Sequence, residues 1–159
     1  VDVTVIGHDS KILGREDQEI AMVIKESLED QGVVFLTNFK VERIDGDAQS
    51  VTLHGIHDSK ERILSAEKVL FGTGKIPNID TLNLESINVE LTTAGIKIND
   101  YLESSQAHIF AAGDVSGHLL YTSIAHYEGV IAANNIINQD KIKIDLRIAP
   151  KGIFTQITF

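Results

Sequence analysis

The chain has 159 residues, 43% of them hydrophobic and 23% charged, the composition of a soluble domain with a core of its own. A formal net charge of −9 leaves no basic surface for phosphate backbones, so nucleic acid is not expected as a partner. There is no cysteine, which excludes thiol catalysis, disulfides and cysteine-based zinc sites within these residues, and no apolar run or leader-like start directs the chain to a membrane. The reading is therefore an intracellular, cytoplasmic protein without a membrane partner.

Residues 1–7, Val-Asp-Val-Thr-Val-Ile-Gly, are β-branched and almost continuously apolar, which predicts a buried parallel strand. Glu16, Asp17 and Glu19 then precede Ile20, Val23, Ile24 and Leu28 at helical spacing, and Gly32 closes the helix they predict. Residues 33–37 form the next buried strand, giving a β-α-β unit with parallel strands. After Asn38 the period becomes two. Residues 40–44, a turn at Asp45-Gly46-Asp47, residues 50–56 and residues 61–64 predict an antiparallel meander inserted into the α/β frame.

Residues 68–72 restore a buried strand, and Thr73-Gly74-Lys75-Ile76-Pro77-Asn78 turns the chain out of the sheet. Leu82, Leu84, Ile87 and Val89 follow without an assignable period. Residues 96–99 alternate as a short strand, 101–106 are loop, 109–113 read as a buried strand, and a helix runs from about Thr122 to Asn138. Polar residues 139–147 form a loop, and residues 152–159 alternate as a last strand.

The candidate site lies in residues 108–135. A short apolar strand ends in Gly113, Asp114 stands at its carboxyl end, and a helix begins a few residues later, the place where open α/β sheets bind ligands. An acceptor carboxylate beside a helix N-terminus suits a ligand with hydroxyls and a developing negative charge. On that helix Ala125, Gly129 and Ala133 make a smooth stripe, with Ile124, Ile131 and Ile136 as apolar bulk around it. The alternative is an ordinary βα unit whose Asp114 caps its own turn.

Gly72-Thr73-Gly74-Lys75-Ile76-Pro77-Asn78 and Ile109-Phe110-Ala111-Ala112-Gly113-Asp114-Val115, in this order, together with Val3-Thr4-Val5-Ile6, the segment from Arg15 to Ile20, Gly32-Val33 and Glu128-Gly129, closely resemble the pyridine nucleotide-disulfide oxidoreductases. This is the flavoenzyme family of dihydrolipoamide dehydrogenase, glutathione reductase and mercuric reductase. The resemblance implies part of a fold with two dinucleotide-binding, Rossmann-like domains: residues 1–74 as the later half of an NAD(P)-binding domain, 75–147 as the returning part of an FAD-binding domain, and 148–159 as the start of an interface domain.

It further implies that Asp114, after Gly113, accepts a hydrogen bond from a ribityl hydroxyl of FAD, and that backbone groups near Leu120, Tyr121 and Thr122 face the flavin edge where charge accumulates on reduction. Simple helix capping is the alternative for Tyr121 and Thr122. In the NAD(P) region, the acid that family members preferring NAD usually carry at the end of the second strand is replaced by Gly7, followed by His8, Asp9, Ser10 and Lys11. His8, Ser10 and Lys11 could hold a 2′-phosphate, which tilts the choice toward NADP over NAD; Asp9 could serve a ribose diol instead, and a plain surface turn is the third reading. Gly74 completes the residues assigned to NAD(P). Lys75 stands where the family commonly has arginine, keeping the charge without the fork, or lying solvated.

No Gly-x-Gly-x-x-Gly motif and no redox-active cysteine pair occur, so no catalytic residue is assigned within the chain. The expectation is an internal segment of an NAD(P)H-dependent flavin disulfide oxidoreductase, inactive alone, that in its parent takes part in hydride transfer from nicotinamide to flavin and on to a disulfide-type acceptor. The parent is expected to be a homodimer, and the isolated chain to associate through open strand edges. A cysteine-independent flavin reductase or NADH oxidase-like member, and a non-catalytic nucleotide-binding module, are the alternatives. No metal site is expected: His54 and His57 fall on opposite faces of one strand, His118 reads as loop polarity and His126 as surface.

Overall fold

The computed structural model is mixed α/β, describes residues 1–149 and 152–154, and divides into two units, Val1–Gly72 and Thr73–Phe154. In the first unit Asp17 caps α1, Gln18–Glu29, by accepting from the amides of Glu19 at 2.9 Å and Ile20 at 3.4 Å. The helix connects β1, Thr4–Ile6, to β2, Val34–Leu36, and the two strands pair in parallel with Thr4 opposite Val34. The β-α-β unit is as expected, but its burial is not: Val3, Val5 and Val34 are 45%, 40% and 52% exposed. A parallel strand is buried when strands flank both edges and layers cover both faces, and among the described residues this sheet has two strands only.

The meander comprises β3, Phe39–Gly46, β4, Val51–His57, and β5, Lys60–Ala66, paired in sequence order. The first turn lies later than expected. Gly46 still pairs with Val51, and Asp47 makes the turn, its carboxylate accepting from the amides of Gln49 and Ser50. Asp58 and Ser59, at φ 48° and 65°, close the second hairpin with two left-handed residues. Phe39 and Leu53 are buried in this sheet, and Gly55 makes room for the Phe39 ring, which a Cβ there would strike. His54 lies against Asp45 at 3.0 Å and His57 against Asp58 at 3.6 Å.

Residues 68–72 are not the expected buried strand. They have no ladder partner among the described residues, and Leu70 and Phe71 are 96% and 65% exposed. An apolar run becomes a strand only where a neighbour takes up its backbone donors and acceptors.

In the second unit the aperiodic leucines fall on two 3₁₀ turns, Asp80–Leu82 and Leu84–Ile87, ended by Asn83 and Asn88 in left-handed conformation. Leu84 and Val89 thereby reach Ile96 and Ala111 in one core cluster. Strands β6, Leu91–Thr92, and β7, Gly95–Ile96, form a hairpin, its turn held by Thr92 Oγ1, which accepts from the amides of Ala94 and Gly95. The expected strand at 96–99 is thus displaced to Gly95–Ile96. The expected strand at 109–113 is extended chain with a single bridge, Phe110 to Glu103, because the neighbouring loop bends away at Leu102, φ 66°.

Helix α2, Thr122–Ile137, matches the predicted span closely. Its inner face carries Ile124, Glu128, Ile131, Ala132 and Asn135, and Ile131 and Ala132 pack with the fully buried Leu102. Ile136, expected as apolar bulk, is 62% exposed. Asn135 ties residues 139–147 to the helix by accepting from the Ile142 amide and donating to the Tyr101 and Ile142 carbonyls. Residues 152–154 are exposed and form no strand; residues 150, 151 and 155–159, which hold most of the predicted last strand, lie outside the described residues. Among the described residues no helix is long and apolar enough to cross a membrane.

Candidate functional site

Gly113 sets the site. Its backbone, φ 81° and ψ −157°, is one that an L side chain avoids, and a Cβ would sit 3.1 Å from that of Ala125 on α2. The chain therefore lies directly on the helix before turning through the 3₁₀ turn Asp114–Ser116, which Gly117 ends at φ 73°. From the other side the β6–β7 hairpin presses on the same turn. A Cβ on Gly95 would strike the Val115 carbonyl, and one on Gly117 would lie 2.6 Å from the Ala94 Cβ. Backbone thus meets backbone at both glycines.

So held, Asp114 extends a half-exposed carboxylate. Lys75 Nζ donates to Asp114 Oδ2 at 3.0 Å and to the Leu120 carbonyl at 3.0 Å, which leaves Oδ1 as an acceptor. Lys75, for which a solvated side chain was the alternative from sequence, instead bridges its own segment to the Asp114 turn and to the residues before α2. Leu120 and Tyr121 are half-buried and Thr122 is exposed as the first residue of α2. Tyr121 holds the N-cap position in extended conformation, and its ring system offers no short oxygen acceptor of the usual capping kind. Of the small-residue stripe, Ala125 is met by Gly113, the space around Gly129 is open, and Ala133 is exposed.

Sequence reasoning missed the part played by Glu128. Fully buried, it accepts from the Gly113 amide at 2.6 Å, lies 3.4 Å from Ser116 Oγ through the same oxygen, and meets His118 Nδ1 at 3.2 Å through the other. Its signal was a carboxylate at helical spacing within the apolar face Ile124, Ile131 and Ala132. Among the described residues no buried side-chain nitrogen or oxygen lacks a partner, and no group of three metal-ligating side chains forms. Elsewhere in this unit Lys141 and Asn99 hold the Glu103 carboxyl below its usual range, and Arg147 brings Asp145 from 3.8 to about 2.

Gly7, His8, Ser10 and Lys11 share one surface turn after β1. Gly7 anchors it, donating to the Leu36 carbonyl and accepting from the Phe39 amide, while His8 Nδ1 stands 3.5 Å from Asp9 Oδ1. Gly74, φ 117°, belongs to the second unit.

A glycine-turned carboxylate beside a helix start, after a parallel β-α-β unit and a meander, is the arrangement expected of the flavoprotein class. The family model of the pyridine nucleotide-disulphide oxidoreductases matches residues 1–131, and the chain belongs to that family, whose members are FAD-dependent oxidoreductases that use NAD(P)H. It is 36% identical over 155 residues to the mercuric reductase of Staphylococcus aureus, covering 97% of this chain and 28% of that protein. It is 33% identical over 158 residues to the dihydrolipoyl dehydrogenase of Mycobacterium leprae, covering 98% and 34%. Among solved structures, LpdA from Mycobacterium tuberculosis superimposes with a TM-score of 0.80 at 26% identity, covering 92% of this chain and 32% of that one. The HOCl-induced flavoprotein disulfide reductase RclA from Escherichia coli gives 0.77 at 29% identity, covering 89% and 32%. The chain thus spans about a third or less of the length of these relatives.

Proposed function

We propose that the second unit supplies one wall of an FAD site in an NAD(P)H-dependent flavin disulfide oxidoreductase. The observation that carries this is the Asp114 carboxylate, half-exposed on a rigid glycine turn, with Lys75 on one oxygen and the start of α2 beside it. These residues fit the ribityl end of the cofactor. Asp114 Oδ1 accepts from a hydroxyl, and Gly113 keeps the backbone free of a side chain that would narrow the approach. The first-turn amides of α2, after Leu120, Tyr121 and Thr122, oppose negative charge that develops on a ring edge placed before them. When bound, FAD supplies hydride acceptance from the nicotinamide and delivery to a disulfide-type acceptor, the second of these through residues beyond this chain.

The NAD(P) turn is assigned to Gly7, His8, Ser10 and Lys11, with Gly74 at the segment that enters the second unit. His8, Ser10 and Lys11 favour the 2′-phosphate of NADP; Asp9, the neighbour of His8, is the group that would favour NAD. The domain reading follows: residues 1–74 for NAD(P), 75–147 for FAD and 148–159 for the start of an interface domain, in a cytoplasmic homodimer. The division of the structure at Gly72 and Thr73, two residues from the first of these boundaries, supports it.

The test is flavin retention by the protein that carries this chain. Wild type is expected to hold FAD as a yellow complex bleached by NAD(P)H, and Asp114→Ala to lose FAD affinity about ten- to hundredfold while still unfolding cooperatively. Full flavin content in Asp114→Ala would refute the assignment, and no flavin uptake by wild type would favour a non-catalytic nucleotide-binding module.

A further inference from the structure

Asp114 has no backbone hydrogen bond of its own to α2; its neighbours hold the turn there through one side chain. Glu128 lies two turns into α2, with 1% of its side chain exposed. Oε2 accepts from the Gly113 amide at 2.6 Å, a short bond to the residue immediately before Asp114. Ser116, two residues after Asp114, donates its hydroxyl to the Gly113 carbonyl at 2.8 Å and lies within 3.4 Å of the same carboxylate oxygen. His118 closes the other oxygen at 3.2 Å. One buried carboxylate therefore touches residues 113, 116 and 118 and brackets Asp114 without contacting it. A polar side chain is placed in an apolar interior only at a desolvation cost, which its contacts to residues 113, 116 and 118 offset, so the turn and the helix are held to one arrangement.

We infer that Glu128 is a positioning residue for the FAD site: through the Gly113 amide, Ser116 and His118 it sets the direction in which Asp114 presents its carboxylate. The inference rests on the FAD reading of Asp114. It assigns to Glu128 no contact with the cofactor. Its effect passes through the turn, so it should scale with the quality of the acceptor offered to Gly113.

The experiment compares Glu128→Gln, which keeps a neutral oxygen for the Gly113 amide, with Glu128→Met, which fills a similar volume and offers no such acceptor, both in the full-length FAD-loaded protein. Two quantities are read: hydrogen exchange at the Gly113 amide, and FAD affinity by titration of the apoprotein. The expected result is graded. Glu128→Gln lowers FAD affinity about three- to tenfold and Glu128→Met about ten- to hundredfold, with Gly113 exchanging faster in the same order. Faster Gly113 exchange with unchanged FAD affinity overturns the proposal, as does an unchanged Gly113 amide. Should Glu128→Met not fold, Glu128→Gln decides by the same two criteria. Asp114→Ala measured alongside separates the two readings: if it loses flavin and the Glu128 variants do not, only the positioning role falls; if it keeps flavin, the FAD reading itself falls.

Discussion

Two apolar stretches, each read from sequence as a buried strand, met opposite fates. Residues 4–6 form a strand in which Val5 is 40% exposed, with Val3 before it 45% exposed, whereas residues 109–113 form no strand, yet Ala111 and Gly113 are buried. Pairing and burial are thus separable. Among the described residues β1 found one parallel partner and little cover; residues 109–113 found cover from α2 and the hairpin but only one bridge. An apolar β-branched run reports that a segment wants to leave water, and the layers around it decide whether a ladder follows.

The sharpest way to break this comparison is a core truncation on each side. Ile131→Ala, in the cluster with Leu102, is expected to cost about 2–5 kcal/mol in urea unfolding, and Val5→Ala less than about 1 kcal/mol. Equal losses would mean that β1 is covered in solution. Next comes the backbone. Gly113→Ala forces a methyl into a disfavoured conformation against Ala125 and should cost about 1–3 kcal/mol, while Gly7→Ala, with nothing within 4 Å of its Cβ, should stay within about 0.5 kcal/mol of wild type. Lysine at Val5 should reduce self-association of the isolated chain in sedimentation, since a charge on an exposed strand edge opposes pairing with another copy; unchanged association would place the contact elsewhere.

The smallest effect concerns pH. Asp145 is held at about 2 against an ordinary 3.8 by Arg147, so its contribution is present above 3.8 and is lost as pH falls toward 2. Asp145→Asn should flatten the pH dependence of the urea midpoint over that window and leave it unchanged near neutrality in slope.

Periodicity carried the β-α-β order, the meander and α2, because Ile24, Leu53 and Ile131 each answer to a local repeat. The resemblance carried Asp114 and Gly113. What neither carried depends on neighbours distant in sequence: the exposure of Leu70 and Phe71, the 3₁₀ turns that bury Leu84 and Val89, and the bond from Glu128 to an amide fifteen residues earlier. Lys75 was visible as a charge. Its two partners, thirty-nine and forty-five residues away, were not.

The contact of the β6–β7 hairpin with the Asp114 turn has a bearing on how this protein can be varied. Gly95 and Gly117 leave room for each other's neighbouring backbone, so the two positions behave as one in any mutational path. A side chain gained at either would lift the hairpin from the turn, and a second glycine could not compensate, because both are already at the minimum of size. Libraries aimed at the proposed flavin wall would therefore do better to leave this pair untouched and diversify side chains that are not wedged between two backbones, such as the exposed Thr122.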